Sequence, residues 1–163
     1  MKFVGRVWKF GDDINTDLMS PMGAFEVPPE ERKMLVFQAN RPGWSKLVKP
    51  GDVILGGRNY GLGSGRPAPE SLRDLGITAL VAESINGLFL RNCINHGFPV
   101  LQCPGVHAAF AEGDKAEVEL RAGTVRNIRT GTVLQGTKLP NILLEIIEAG
   151  GVLAGLRAES FID

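Results

Sequence analysis

The sequence predicts an α/β domain with a parallel βαβ core and added antiparallel strands. Two patterns carry that prediction. Short apolar runs in the centre alternate with helix-compatible stretches, as in strand–helix–strand units joined by crossovers. Beyond residue 110, charged and apolar residues alternate around a turn, as in a hairpin. The 163 residues suit one domain spanning 1–163. That length buries a core without a disulfide or structural metal.

The first ten residues read as a strand, closed by the polar segment Gly11-Asp12-Asp13-Ile14-Asn15-Thr16-Asp17. Pro28-Pro29-Glu30-Glu31 suits a helix start leading into Met34-Leu35-Val36-Phe37, because proline and acids fit the first helical turn. Asn40 to Pro50 reads as a loop turning at Pro42-Gly43. Asp52 to Leu55 is a buried strand, followed by a loop from Gly56 to Arg66. Pro67, Pro69 and Glu70 then open a helix carrying Leu72 and Leu75, which Gly76 closes. Ile77 to Ala82 is a second buried strand. Ser84 is the expected cap of the next helix, with Ile85, Leu88 and Phe89 on one face and Gly97 at its end. Phe98 to Leu101 makes a third strand. Lys115 to Arg121 and Thr124 to Ile128 form the hairpin around Ala122-Gly123, and Leu139-Pro140-Asn141 starts the last helix, stopped by Gly150-Gly151.

Composition excludes several function classes. Eighteen Lys and Arg balance eighteen Asp and Glu, so the chain lacks the basic excess that drives phosphate-backbone binding, and nucleic acid is not an expected partner. No apolar run reaches membrane-spanning length, and charges break the N-terminus where a signal peptide would be apolar. A soluble cytoplasmic protein is expected. Cys93 and Cys103 match no zinc or redox spacing, so no metal site is expected and both read as buried thiols. Glycine is abundant, at 21 residues, and is useful where backbone turns tightly or approaches a ligand.

Those glycines concentrate in Gly56-Gly57-Arg58-Asn59-Tyr60-Gly61-Leu62-Gly63-Ser64-Gly65-Arg66, between a strand and a helix. Ligands of open α/β sheets bind beyond the carboxyl ends of strands. A helix N-terminus attracts anions, and the Arg66 fork suits a carboxylate or phosphate. An anion site and a tight turn in which Ser64 bonds its own backbone are both open readings. The dinucleotide fingerprint fails at its third glycine, where Arg66 stands. No Walker lysine is present, and Leu62 and Arg66 occupy the positions a nucleophile elbow reserves for glycine.

At this loop the chain resembles the small subunit of 3-isopropylmalate dehydratase, equivalent to the swivelling domain of aconitase. The family pattern N-[FY]-G-x-G-S-S-R-E-H-A stands here as Asn59-Tyr60-Gly61-Leu62-Gly63-Ser64-Gly65-Arg66-Pro67-Ala68-Pro69. Gly5 to Asp17 resembles the family's opening strand and its D/N-T-D motif. Leu90-Arg91-Asn92-Cys93-Ile94-Asn95-His96-Gly97-Phe98-Pro99 resembles its R-N-x-x-N-x-G-[LF]-P helix end.

The resemblance implies a swivelling-type domain and one subunit of a two-part hydro-lyase. Such an enzyme dehydrates or isomerises a hydroxy di- or tricarboxylate: 3-isopropylmalate in leucine biosynthesis, or a relative such as homoaconitate, citramalate or dimethylmalate. It implies a large-subunit partner that holds a [4Fe–4S] cluster, with no cofactor on this chain. It assigns Ser64 as the base; the donors such a base needs are, on physical grounds, the Gly65 and Arg66 amides at the start of the Pro67 helix. It assigns substrate binding to Arg66, Gly63, Gly65 and Asn59; Thr16 and Asp17 read either as standing behind them or, with Asp13, as an Asx-type turn. Met22, Gly23, Ala24 and Phe25 stand in the loop that reads the substrate's variable group.

The chain departs from the pattern at Gly65, Pro67 and Ala68, where the family has Ser, Glu and His. It departs again at Gly23, where the leucine-pathway enzymes have Arg. A non-catalytic anion- or nucleotide-binding module on the same fold is the alternative. Asn92 and Asn95 read as helix-end residues that satisfy backbone groups, with a place facing the cleft as the other reading, Arg58 and Arg91 as surface charges, and His96 as a non-catalytic residue near a helix stop.

Overall fold

The computed structural model describes residues 1–162. Its strands are β1 (Lys2–Lys9), β2 (Val53–Gly56), β3 (Ala79–Ala82), β4 (Val100–Gln102), β5 (Lys115–Glu119), β6 (Thr124–Asn127) and β7 (Val133–Gln135). They form one sheet in the order β4-β3-β2-β1-β5-β6-β7. The first four run parallel, and β5, β6 and β7 continue the sheet antiparallel from the far edge of β1. The α/β prediction with added antiparallel strands matches this architecture. The sequence reading missed β7, which is three residues long and bounded by residues with no alternating pattern.

Register explains how the sheet is buried on both sides. Trp8 lies opposite Ile54, Ile54 opposite Leu80, and Leu80 opposite Val100. This row joins Phe10, Phe37, Trp44, Leu72 and Phe89 in one core. The neighbouring row of Val7, Val53 and Ala79 faces a second core with Phe110, Val118, Val125, Leu144 and Ile147. Both faces of β2 and β3 are therefore apolar, which is why these strands read as continuous apolar runs.

The helices are α1 (Thr16–Met19), α2 (Pro29–Arg32), α3 (Ala68–Asp74), α4 (Gly87–Asn95), α5 (Val106–Ala109), α6 (Asn141–Glu148) and α7 (Val152–Ala158). The predicted helix through Met34–Phe37 is shorter than expected. It passes into a 3₁₀ turn at Lys33–Leu35, and Phe37 takes φ +56°, a left-handed geometry that no helix continues. Asn86, not Ser84, caps α4, its Oδ1 accepting the Leu88 N–H at 3.0 Å. Ser84 Oγ instead accepts the Asn59 N–H at 2.8 Å. Ile85 precedes the helix and Leu88 is 43% exposed, so Phe89 alone of the three predicted residues sits on its buried face. The helix stopped by Gly150-Gly151 is followed by α7, hidden from the sequence reading by those two glycines. Among the described residues no helix is long and apolar enough to cross a membrane.

Two polar anchors tie the sheet together. Buried Asp52 accepts from Arg6 Nη2 at 2.7 Å, Trp8 Nε1 at 2.7 Å and the Lys49 N–H at 2.9 Å. Burial pushes its pKa up, but these donors outweigh burial and hold it below the ordinary value. Asp114 accepts from Arg129, from the Ala111 N–H and from Asn127 Nδ2. The Arg129 guanidinium leads in holding this carboxyl well below the carboxylate range.

The stability that depends on Asp114 is complete above about pH 4, the ordinary carboxylate pKa. It declines as pH falls from there through the lower folded-state value. Asp114→Asn should therefore flatten the fall in unfolding free energy between pH 5 and pH 2, and a slope equal to the parent's would contradict the assignment. Gly61 has φ +82°, and an added Cβ would lie 2.2 Å from the Phe89 ring. Gly61→Ala should cost about 3 kcal/mol in denaturant titrations.

Candidate active site at the glycine loop

Parallel strands release their chains at the same end of a sheet. The segments after β1, β2 and β3 therefore meet there, and the glycine loop after β2 lies between the other two.

The contact with the segment after β1 is continuous. The Gly57 N–H donates to the Gly11 carbonyl at 3.0 Å, and the Asp13 N–H donates to Arg58 O at 2.8 Å. Gly61 N–H donates to Ile14 O and Thr16 N–H to Leu62 O, both at 2.8 Å. Side chains extend the series: Asp12 Oδ1 accepts the Arg58 N–H at 2.7 Å, and Thr16 Oγ1 donates to the Ser64 carbonyl at 2.8 Å. On the other flank, the Tyr60 N–H donates to Ser84 O and the Asn86 N–H to Tyr60 O. Tyr60 is fully buried beneath the loop, its ring centroid 5.9 Å from that of Phe89 and its hydroxyl 3.6 Å from Met19 Sδ. Burial pushes its phenol pKa well up.

Gly63 also packs closely against the segment after β1. Its φ is +110°, and a Cβ there would sit 2.7 Å from Asn15 Oδ1 and 2.9 Å from Thr16 Oγ1. No side chain fits at Gly63 without moving Thr16. Beyond it, Gly63, Ser64 and Gly65 are exposed, and Ser64 Oγ has no hydrogen-bond partner among the described residues. Arg66 Nε lies 2.5 Å from Asp17 Oδ1, an ion pair without the alignment of a hydrogen bond. Asn15 Oδ1 accepts the Asp17 N–H at 2.8 Å and caps α1.

Of the residues the sequence singled out, Thr16, Asp17, Gly63, Ser64, Gly65 and Arg66 come together. Asn59 stands apart. Its φ is +51°, its Nδ2 donates to Asp13 Oδ1 at 3.0 Å, and its N–H is taken by Ser84, so it holds the base of the loop. Met22 to Phe25 form a turn after α1. Met22 is 85% and Phe25 51% exposed, Ala24 is buried, and the Arg32 guanidinium lies over the Phe25 ring. No hydrogen bond, ion pair or ring contact joins this turn to the glycine loop among the described residues.

The backbone donors expected at a helix start are largely occupied. The Arg66 N–H donates to Ser64 O and the Ala68 N–H to Arg66 O, both at 2.8 Å. Pro67 and Pro69 have no N–H, and α3 has only seven residues. Gly63, Ser64 and Gly65 keep backbone N–H donors without a partner among the described residues. The free donors at the tip are those amides and the Arg66 side chain.

Sequence reasoning undervalued Asn92. It lies inside α4, away from both caps, and its Nδ2 reaches the Arg66 carbonyl at 2.6 Å. Its place in the R-N-x-x-N motif was the available signal. His96 pairs with Glu70 at 2.9 Å, in a cleft of about 470 Å³ that Arg73 also lines and that contains none of the loop residues. Cys93 and Cys103 are fully buried, one in each core. Burial pushes the Cys93 thiol well up and that of Cys103 to about 11. Two inaccessible thiols on opposite sides of a sheet do not fit the ligand set of an iron–sulfur cluster.

The family model described as the aconitase C-terminal domain matches residues 36–104. The isopropylmalate/citramalate isomerase small subunit of Methanocaldococcus jannaschii is 44% identical, over 94% of this chain and 92% of its own. The 3-isopropylmalate dehydratase small subunit of Aquifex aeolicus is 40% identical, over 94% of each chain. A crystal structure of 3-isopropylmalate dehydratase from Methanocaldococcus jannaschii superposes with a TM-score of 0.90 at 29% identity, covering 99% of this chain and 96% of that one. With relatives this similar over nearly its whole length, and with the motif-bearing loop folded into a single exposed tip, the chain belongs to the 3-isopropylmalate dehydratase small-subunit family.

Proposed function

We propose that this chain acts as the small subunit of a two-part hydro-lyase and closes the active site of a cluster-bearing large subunit over a hydroxy-dicarboxylate. One observation supports this most: exposed Ser64 and, beside it, partly exposed Arg66 stand at the tip of a loop whose base is hydrogen-bonded on both flanks. The relative at 44% identity is named for both isopropylmalate and citramalate. We take 3-isopropylmalate or a close analogue as the substrate.

Dehydration removes a weakly acidic proton from the carbon next to a carboxylate, so a base must be placed on that C–H bond. Ser64 Oγ is the base of this proposal, since it is exposed and has no competing partner. A serine hydroxyl ionises only where donors and a cation favour its charged form and water is excluded. The Gly65 N–H is one of the unpartnered backbone donors at the tip and Arg66 the adjacent cation, while docking onto the large subunit would exclude water.

Asp17 holds the Nε side of Arg66, leaving the Nη1/Nη2 edge for a substrate carboxylate, which two parallel N–H bonds recognise with charge and direction together. The cluster belongs to the partner in this reading, and no step is assigned to it through residues of this chain. Met22 and Phe25, exposed on their turn, are assigned to the substrate's variable group once the complex has closed.

In the reconstituted complex, Ser64→Ala should lower kcat by about a thousandfold with assembly intact on gel filtration. Unchanged turnover would remove Ser64 as the base. Arg66→Lys should raise KM by about tenfold to a hundredfold, because a point charge does not replace the fork. An unaltered KM would place the substrate carboxylate elsewhere.

A further inference from the structure

The tip carrying Ser64 and Arg66 is not held by regular secondary structure. It consists of two successive three-residue turns. The Arg66 N–H returns to Ser64 O across Gly65, and the Ala68 N–H returns to Arg66 O across Pro67. Pro67, at φ −76° and ψ 48°, is close to the inverse γ-turn geometry. The departures Gly65 and Pro67 are thus the central residues of the two turns. Hydrogen bonds in such short turns are bent and weak, so they do not by themselves fix where the flanking side chains point.

Each of the two carbonyls receives a second donor from a rigid element. Thr16 Oγ1, on α1, donates to Ser64 O at 2.8 Å, and Thr16 is 1% exposed. Asn92 Nδ2, from within α4, donates to Arg66 O at 2.6 Å. A carbonyl only accepts, so the amide nitrogen of Asn92 must face it. Asparagine is a poor residue for a helix interior, and here its side chain bridges to a loop 26 positions earlier in sequence. The two grips fall on alternate residues, the same two whose side chains carry the chemistry proposed above.

We infer that Asn92 and Thr16 are a pair of positioning residues for the reaction. Asn92 sets the direction of the Arg66 side chain, and Thr16 sets that of Ser64. The inference rests on the proposed roles of Ser64 and Arg66.

The test compares Asn92→Leu, Thr16→Val and Thr16→Ser with Ser64→Ala in the reconstituted two-subunit enzyme. Asn92→Leu should act mainly on KM and Thr16→Val mainly on kcat, each by about tenfold to a hundredfold. Thr16→Ser, which keeps the hydroxyl, should restore kcat to within about threefold of the parent. If Ser64→Ala is inactive while Asn92→Leu and Thr16→Val leave both constants within twofold, the pairing is overturned and the base assignment stands. A proportional loss in both constants that merely follows a lowered Tm also overturns it. If Ser64→Ala stays active, the base assignment itself falls and takes the Thr16 half with it.

A second measurement needs no variant. In the intact complex, the Arg66 and Ala68 amides should exchange with solvent at least about a hundredfold slower than in an unfolded chain. Unprotected amides there would overturn the clamp even if every variant failed to fold.

Discussion

β1 and β2 run parallel with Val7 opposite Val53, so both chains leave the sheet at the same end and share the space beyond it. The glycine loop and the Gly11–Asp17 segment resolve that crowding by pairing with each other. They alternate donors and acceptors from Gly57 to Ser64, so that backbone groups outside any strand still find partners. Close pairing demands the absence of a side chain at Gly63 and a left-handed backbone at Gly61 and Gly63. The exposed tip is what remains once these requirements are met.

The support beneath the loop is apolar and the surface above it polar. Tyr60 and Phe89 form a buried floor continuous with the core on one face of the sheet, which makes the loop's base as rigid as that core. Opposite charges pair at the tip, where the Asp17 carboxylate meets the Arg66 guanidinium. An ion pair whose carboxylate is open to solvent contributes little to stability. Its value in this account is orientation: the carboxylate takes one side of the guanidinium and leaves the fork free. A chain built in this way offers reactive groups without enclosing them, and the family's division into small and large subunits fits that design.

Much of this was legible in the residues. The apolar runs of β2 and β3 announced strands buried on both faces, and the glycine spacing with Ser64 and Arg66 announced the loop. What stayed hidden depended on partners distant in sequence. Ser84 has the chemistry of a cap, but Asn59 reaches it first, and the cap passes to Asn86. Asn59 falls inside the motif and reads as a ligand-binding residue, yet its left-handed backbone and its bond to Asp13 make it part of the loop's base. Asn92 reads as a helix-end residue, because only the packing of α4 against the loop brings its amide to Arg66. The amides of Gly65 and Arg66 look equivalent in sequence, and only the folded turn shows that one of them is taken. The very short β7, and α7 behind two glycines, carry too little periodicity to be seen without the sheet and helix that receive them.

The central claim is that this chain supplies residues to an active site it does not complete alone. The most direct measurement purifies this chain and its large subunit separately under anaerobic conditions. Each is then assayed for dehydration of 3-isopropylmalate, alone and after mixing. The account predicts no turnover from either subunit and turnover from the mixture, saturating at a fixed ratio of the two. Turnover by this chain alone would contradict it, as would an inactive mixture in which the complex has formed and the partner's cluster is intact.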